Sequence, residues 1–192
     1  MKKNIISAVL AATAMLVGAN VSAQDLKMSY YLGASGGVTT WNIECYGSTS
    51  CEKNPSSLRI FGGLNITPNL AVELTYAALG TAKVNSTGSN LEIQGRSFDL
   101  SGVYKFPVPT TSSLQPFVKG GLAYTNAKAS ATSSINSGTS TQQAWGLLIG
   151  AGVIYTVTES FALRAEVNTQ NLKVPGSSGN VTSFSVGGQA MF

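Results

Sequence analysis

From Phe184 to Phe192 the even positions are Phe184, Val186, Gly188, Ala190 and Phe192, and the odd ones are Ser185, Gly187, Gln189 and Met191. A period of two is the mark of an extended strand whose faces meet unlike surroundings. The pattern recurs along the chain. Phe161 to Asn168 sets Phe161, Leu163, Ala165 and Val167 against Ala162, Arg164, Glu166 and Asn168. Leu58 to Ile66 opposes Arg59, Phe61, Gly63 and Asn65, and Leu70 to Tyr76 opposes Ala71, Glu73 and Thr75. Looser versions run from Phe98 to Phe106, Val118 to Thr125, Trp145 to Tyr155 and Met28 to Val38, where Tyr31 breaks the polar face. The chain therefore reads as all-β with eight strands. Glycine recurs on single faces of these strands, which points to a crowded interior or tight curvature.

The apolar stretches limit the surroundings. Lys2 and Lys3 precede an apolar segment, Ile5 to Gly18, followed by Asn20-Val21-Ser22-Ala23, the three parts of a secretory signal. Cleavage is expected after Ala23, leaving residues 24–192 as one domain. Beyond it, the longest nearly apolar run is Ala144 to Tyr155, far short of the roughly 20 residues a membrane helix requires. The mature chain is thus either soluble or membrane-inserted as a closed barrel, since only a closed barrel satisfies its backbone in lipid without helices.

Connection lengths and aromatic spacing favour the membrane. Thr67-Pro68-Asn69 and Thr158-Glu159-Ser160 are tight turns and Pro107 to Gln115 is moderate. The other four, Thr39 to Ser57, Leu79 to Gly95, Asn126 to Gln143 and Leu172 to Val181, read as long polar loops; Ala127 to Gln143 in particular reads as a mobile, solvated segment. Short turns at one end and long loops at the other are the asymmetry of outer-membrane barrels. A tilted strand climbs about 2.3 Å per residue, so a lipid belt about 25 Å tall separates its aromatic rims by about 8–10 residues. Phe98 and Phe106, Phe184 and Phe192, and Trp145 and Tyr155 keep that spacing on one face. Tyr104, Tyr124 and Phe161 complete the expected aromatic girdle. The rival is a secreted lipocalin-like barrel with the faces exchanged.

The signal segment, the eight strands, Gly62-Gly63-Leu64, Gly120-Gly121-Leu122 and the terminal Phe192 together give a chain that resembles the small OmpA/OmpX-like outer-membrane barrel family. The resemblance implies an eight-stranded antiparallel up-and-down transmembrane barrel in a Gram-negative outer membrane, with both termini periplasmic. It makes Phe192 part of an assembly signal read by the outer-membrane assembly machinery. It also implies lipid and lipopolysaccharide as surroundings, a monomeric state and a non-enzymatic role, in envelope structure or in contact with an extracellular ligand through the loops. A narrow pore is the alternative.

The chain has no histidine, which excludes most Ser-His and Cys-His catalysis and His-ligated metal sites. Without the two leader lysines, 10 Lys and Arg stand against 8 Asp and Glu, too little excess for nucleic acid. No cofactor or metal motif is present, and no catalytic residue is assigned. The inward charges are expected to be Arg59, Glu73, Asp99, Lys105, Lys119, Arg164 and Glu166, with Arg59 and Asp99 farther from the short turns than the other five. They read as a paired network filling a lumen just wide enough for side chains, or alternatively as a selectivity filter. Each carboxylate is expected to have a cation at hand. Cys45 and Cys51, in an exported chain, read as a disulfide that staples the first loop or presents it as an epitope, with Trp41 and Tyr46 as candidate contacts.

Overall fold

The computed structural model describes residues 29–42, 50–86, 89–109, 112–133, 137–174 and 177–192. The expected signal segment, Cys45 and Tyr46 lie outside them. Nine strands follow in order: β1 (Ser29–Trp41), β2 (Ser50–Glu52), β3 (Ser56–Asn65), β4 (Leu70–Ser86), β5 (Ser89–Lys105), β6 (Leu114–Ser133), β7 (Ser137–Thr158), β8 (Phe161–Val174) and β9 (Ser177–Met191). Eight of them close a barrel in which every neighbouring pair is antiparallel, and β1 pairs with both β3 and β9. The short β2, which carries Cys51, lies beyond the barrel along the end of β4.

The barrel's shear can be followed residue by residue. A path across the ladders from Tyr155 passes Leu163, Gly188, Ala34, Ile60, Tyr76, Phe98 and Tyr124 and returns to β7 at Trp145, ten residues away. Ten residues of stagger over eight strands correspond to a tilt of about 40°. The terminal Phe192 finishes the seam by exchanging two backbone hydrogen bonds with Tyr30. The described chain enters and leaves at the end that carries the short turns.

The two faces sort as the alternation requires. Leu58, Ile60, Leu74, Leu100 and Leu122 are half or more exposed, whereas Arg59, Glu73, Asp99, Arg164 and Glu166 are buried. All the girdle aromatics expected from sequence point outward; Tyr124 is half-buried against Trp145, at 5.1 Å between ring centroids.

The segments expected as long loops are, for the most part, strand. β4 and β5 remain paired to Ser86↔Ser89, and β6 and β7 to Thr132↔Ser137, so the described parts of the segment expected as a mobile loop, residues 127–133 and 137–143, are strand. The alternation fades there because Ser and Thr stand on both faces, while the backbone ladder still closes and Thr favours strands. β4 to β7 thus form a wall that outruns the rest of the barrel. The β7–β8 ladder stops at Leu148↔Gln170, and among the described residues β7 from Ser137 to Leu147 has no ladder partner on that side. Above Ala78 the register of β4 shifts at Gly80, whose φ of +77° only glycine takes without strain. A Cβ there would also overlap the Ser56 carbonyl oxygen.

Candidate functional site: a layered barrel interior

Inward positions build the bore in layers. Nearest the short turns lies an apolar floor of Tyr31, Phe61, Ala71, Val103, Phe117, Ile154 and Ala162. Its rings fit because glycine faces them. A Cβ on Gly63 would overlap the Tyr31 ring, one on Gly33 would overlap Phe61, and one on Gly152 would stand 2.7 Å from Phe117. In each case ring and glycine are direct cross-strand partners. Gly33, Gly63 and Gly152 are therefore pads for aromatic rings, while Gly121 and Gly187 face the backbone of the neighbouring strand.

Above the floor sits the ionic layer. Arg164 on β8 and Glu73 on β4 occupy diametrically opposed strands, and their pair spans the bore. Arg164 Nη1 donates to Glu73 Oε2 at 2.6 Å and Nη2 to Oε1 at 3.2 Å. Its Nε donates to Glu166 at 2.9 Å. Phe61 and Phe117 flank the guanidinium, with ring centroids 4.5 and 4.4 Å from its central carbon. Lys119 on β6 reaches both carboxylates at 3.3 Å. Glu73 also accepts from the Tyr31 hydroxyl at 2.8 Å, and Glu166 from Asn168 Nδ2 at 2.8 Å. Tyr31, which interrupts the polar face in the sequence, is thus the donor that joins floor to ionic layer.

Two of the seven charges expected here do not join this network, and a third does so loosely. Lys105 lies at the short-turn rim and donates to Asn65 Oδ1 at 2.7 Å. Asp99, fully buried, has no ion pair within 4 Å among the described residues, and the cation at hand for it is Arg59, which acts on it from beyond that distance. Arg59 donates to Ser183 and lies 3.8 Å from Glu166. The buried set is Arg59, Lys119 and Arg164 against Glu73, Asp99 and Glu166, three of each sign.

Around Arg59 and Asp99 lies a polar layer that the protein's own groups do not satisfy. Hydroxyls of Ser35, Thr39, Ser57, Ser97 and Ser185, and both amide atoms of Gln170, are buried without partners among the described residues. The layer is roofed by Trp41, Ala77, Leu79, Ala82, Ile93, Ala127 and Val181. Trp41 reaches from β1 toward β5, where a Cβ on Gly95 would stand 2.7 Å from its ring. It is 1% exposed, so it is a roof beam and not the surface contact expected from its place before the first loop. Parity carried that signal: counted from Tyr31, odd positions of β1 face inward, and Trp41 is odd.

No group of three or more His, Cys, Asp or Glu suited to a metal ion is present among the described residues. Cys51 is half-buried on β2, and its expected partner lies outside them.

Residues 9–192 match the outer membrane protein beta-barrel domain family. Among curated proteins, outer membrane porin F of Pseudomonas aeruginosa is 27% identical over 141 residues, 70% of this chain; the match spans 39% of that protein's length. The N-terminal barrel domain of Pseudomonas aeruginosa OprF is similar in structure with a TM-score of 0.56 and 22% identity, covering 85% of this chain and 97% of that one. Ail, the attachment invasion locus protein of Yersinia pestis, gives 0.55 at 14% identity, covering 86% and 97%. With a closed eight-stranded barrel and a family match over nearly its whole length, the chain belongs to the outer membrane protein beta-barrel domain family.

Proposed function

We propose that the protein is a non-enzymatic integral barrel of the outer membrane, in contact with lipid and lipopolysaccharide, whose closed bore gives it an envelope-structural role and whose tall wall meets extracellular partners. The observation that carries this reading is that an apolar floor and an apolar roof bracket the ionic layer. Apolar constrictions of this kind stop ions by dewetting. Glu73 and Glu166 are held by Arg164 and Lys119, which leaves neither free as a general base.

In this reading the short turns and both termini face the periplasm, Phe192 engages the assembly machinery, Cys45 and Cys51 close the first loop, and the chain works as a monomer. The wall offers the unpaired edge of β7. Thr156, an even position, bonds Ser113 beside β6, so the odd positions Thr139, Thr141 and Gln143 turn their backbone groups to the side that has no ladder partner among the described residues, above the point where Asn171 of β8 lies against Gly146. Such an edge accepts an extended segment by strand addition.

Two measurements test the proposal. Purified protein in planar bilayers is expected to show no reproducible conductance steps; frequent steps altered by Lys119→Gln would replace the sealed bore by a pore. Thr141→Pro removes a donor from the open edge without touching the β6 ladder. Cells displaying that variant should lose adhesion to matrix-coated surfaces while the barrel stays heat-modifiable on gels, and unchanged adhesion would reject the edge as the contact. The second reading, a narrow pore for small solutes, draws on the similarity to porin F and on the unsatisfied layer around Asp99 and Gln170, which water would fill.

A further inference from the structure

Above the contact of Asn171 with Gly146, the β7 edge has no ladder partner among the described residues, and charge and symmetry decide what can extend it. From Ser137 to Thr158 the strand holds no Asp, Glu, Lys or Arg, and Thr139, Ser140, Thr141, Gln142 and Gln143 are all exposed. Across an antiparallel pair in which Thr141 faces a second Thr141, Thr139 meets Gln143 and Ser140 meets Gln142. Hydroxyls then face hydroxyls and amides, and no like charges meet. The cation in register with them, Lys128 of β6 opposite Thr141, stands three strand spacings from its counterpart. That is about 14 Å, beyond the reach of an exposed charge in physiological salt. The odd positions turn their backbone groups to the open side, so the odd pairs 141 with 141 and 139 with 143 exchange about six hydrogen bonds. Symmetry then places the second copy. An antiparallel pair of identical strands has its two-fold axis perpendicular to the sheet. The barrel wall stands upright in the bilayer, so this axis lies parallel to the membrane plane and the two copies point in opposite directions. Copies in one membrane are related instead by an axis along the membrane normal. At a strand tilt of about 40° their edges cross at about 80° and make no ladder.

We propose that the β7 edge pairs, centred on Thr141, with β7 of a second copy of this chain in a facing membrane. The inference rests on the reading of β7 as an open edge and names its occupant. Thr141 lies four residues above Trp145, about 9 Å up, so the aromatic rims of the two membranes come within about 20 Å of each other. One such contact is small. Five residues a side fall well short of the roughly 1,200 Å² that a stable interface buries, so the protein stays monomeric in detergent. Many copies in each of two apposed membranes engage together, and the first contacts raise the effective concentration for the rest.

The test uses the full-length protein in phosphatidylcholine vesicles, prepared as two populations with different fluorophores. On mixing, two-colour coincidence should rise about tenfold over protein-free vesicles, and it should return to background when both populations carry Thr141→Pro. Oxidative cross-linking reads the register. Ser140→Cys vesicles mixed with Gln142→Cys vesicles should yield a disulfide dimer, whereas either variant mixed with itself, and the parent chain, should yield none. The same two variants placed together in one nanodisc should stay unlinked. Clustering that survives Thr141→Pro, cross-linking as strong in Ser140→Cys alone as in the mixed pair, or a dimer inside one nanodisc overturns the proposal. If Thr141→Pro loses heat-modifiable migration, the cysteine pair decides alone, since both positions are exposed. The two readings of the edge fail separately. Clustering lost in Thr141→Pro with matrix adhesion intact supports the contact between membranes and removes the matrix partner. Matrix adhesion lost in that variant, with no clustering by the parent, means that a strand of another protein fills the edge, and this proposal ends.

Discussion

The lower and upper halves of the bore are built from the same kinds of residue and reach opposite solutions. Below, Glu73, Glu166, Arg164 and Lys119 satisfy one another across opposed strands, with Tyr31 and Asn168 completing the carboxylates. Above, Asp99 is buried with no ion pair within 4 Å among the described residues, and Arg59, the cation that acts on it from farther off, has Nε unbonded and lies 3.8 Å from Glu166. The lower layer is a closed network; the upper one is a polar chamber under an apolar roof. A satisfied network fixes distances between strands far apart in sequence, whereas an unsatisfied one draws water and leaves its side chains several arrangements. The lower layer is therefore the barrel's structural clasp, and the upper one is a polar layer under the apolar roof of Trp41 and Leu79.

The sharpest way to break this contrast is at Arg164. Replacing it with Met strands Glu73 and Glu166 with Lys119 as their main cation, and urea unfolding from lipid vesicles should register a loss of about 3–5 kcal/mol. Arg164→Lys should recover part of it, because charge returns without the fork and without the guanidinium's flat faces against Phe61 and Phe117. Next in size is Trp41→Ala, expected to cost about 3 kcal/mol as a cavity opens beneath the hairpins. The diagnostic readout is conductance: a barrel sealed at the roof should gain brief openings in this variant, and the floor around Phe61 and Phe117 should still limit their size. If Trp41→Ala is as silent as the parent, the floor alone is the seal.

Asp99→Asn should behave in the opposite manner to Arg164→Met. A buried carboxylate whose cation lies beyond 4 Å has only a weak pair to lose, so unfolding should move by less than about 1 kcal/mol, and in the stabilising direction where desolvation of the carboxylate outweighs its attraction to Arg59. A loss as large as that at Arg164 would show that Arg59 and Asp99 form a working pair through solvent.

Which of these differences could be read in the sequence depends on what each rests on. Period two placed Arg59, Glu73, Asp99, Lys119, Arg164 and Glu166 on inward faces, because a face is a local property of one strand. Partnership is not local. Glu73 and Arg164 are 91 residues apart and meet only because stagger and strand number bring β4 opposite β8 at one height. The inward glycines signalled crowding, yet their assignment to Tyr31, Phe61 and Phe117 needed the register. Trp41 was legible by parity but obscured by its position at the edge of a polar loop. The wall was hidden for the reverse reason: Ser and Thr on both faces of residues 127–133 and 137–143 erase the alternation although the ladder runs on to Thr132↔Ser137.

The smallest expected effect compares the clasp with the outer surface. Lys83 and Glu92 face each other at 3.6 Å, about half exposed, on directly paired residues of β4 and β5. A double-mutant cycle to Ala should give a coupling below about 0.5 kcal/mol, since solvent screens the pair and two long side chains lose freedom in making it. The same cycle between Glu73 and Arg164 should give several times more, about 2 kcal/mol or above, because neither group has water to fall back on. Adding salt to about 1 M should erase the first coupling and leave most of the second, as screening reaches exposed charges far more than buried ones. Should both couplings fall alike with salt, water enters the lower layer freely, the apolar floor is no seal, and the distinction between clasp and chamber is lost.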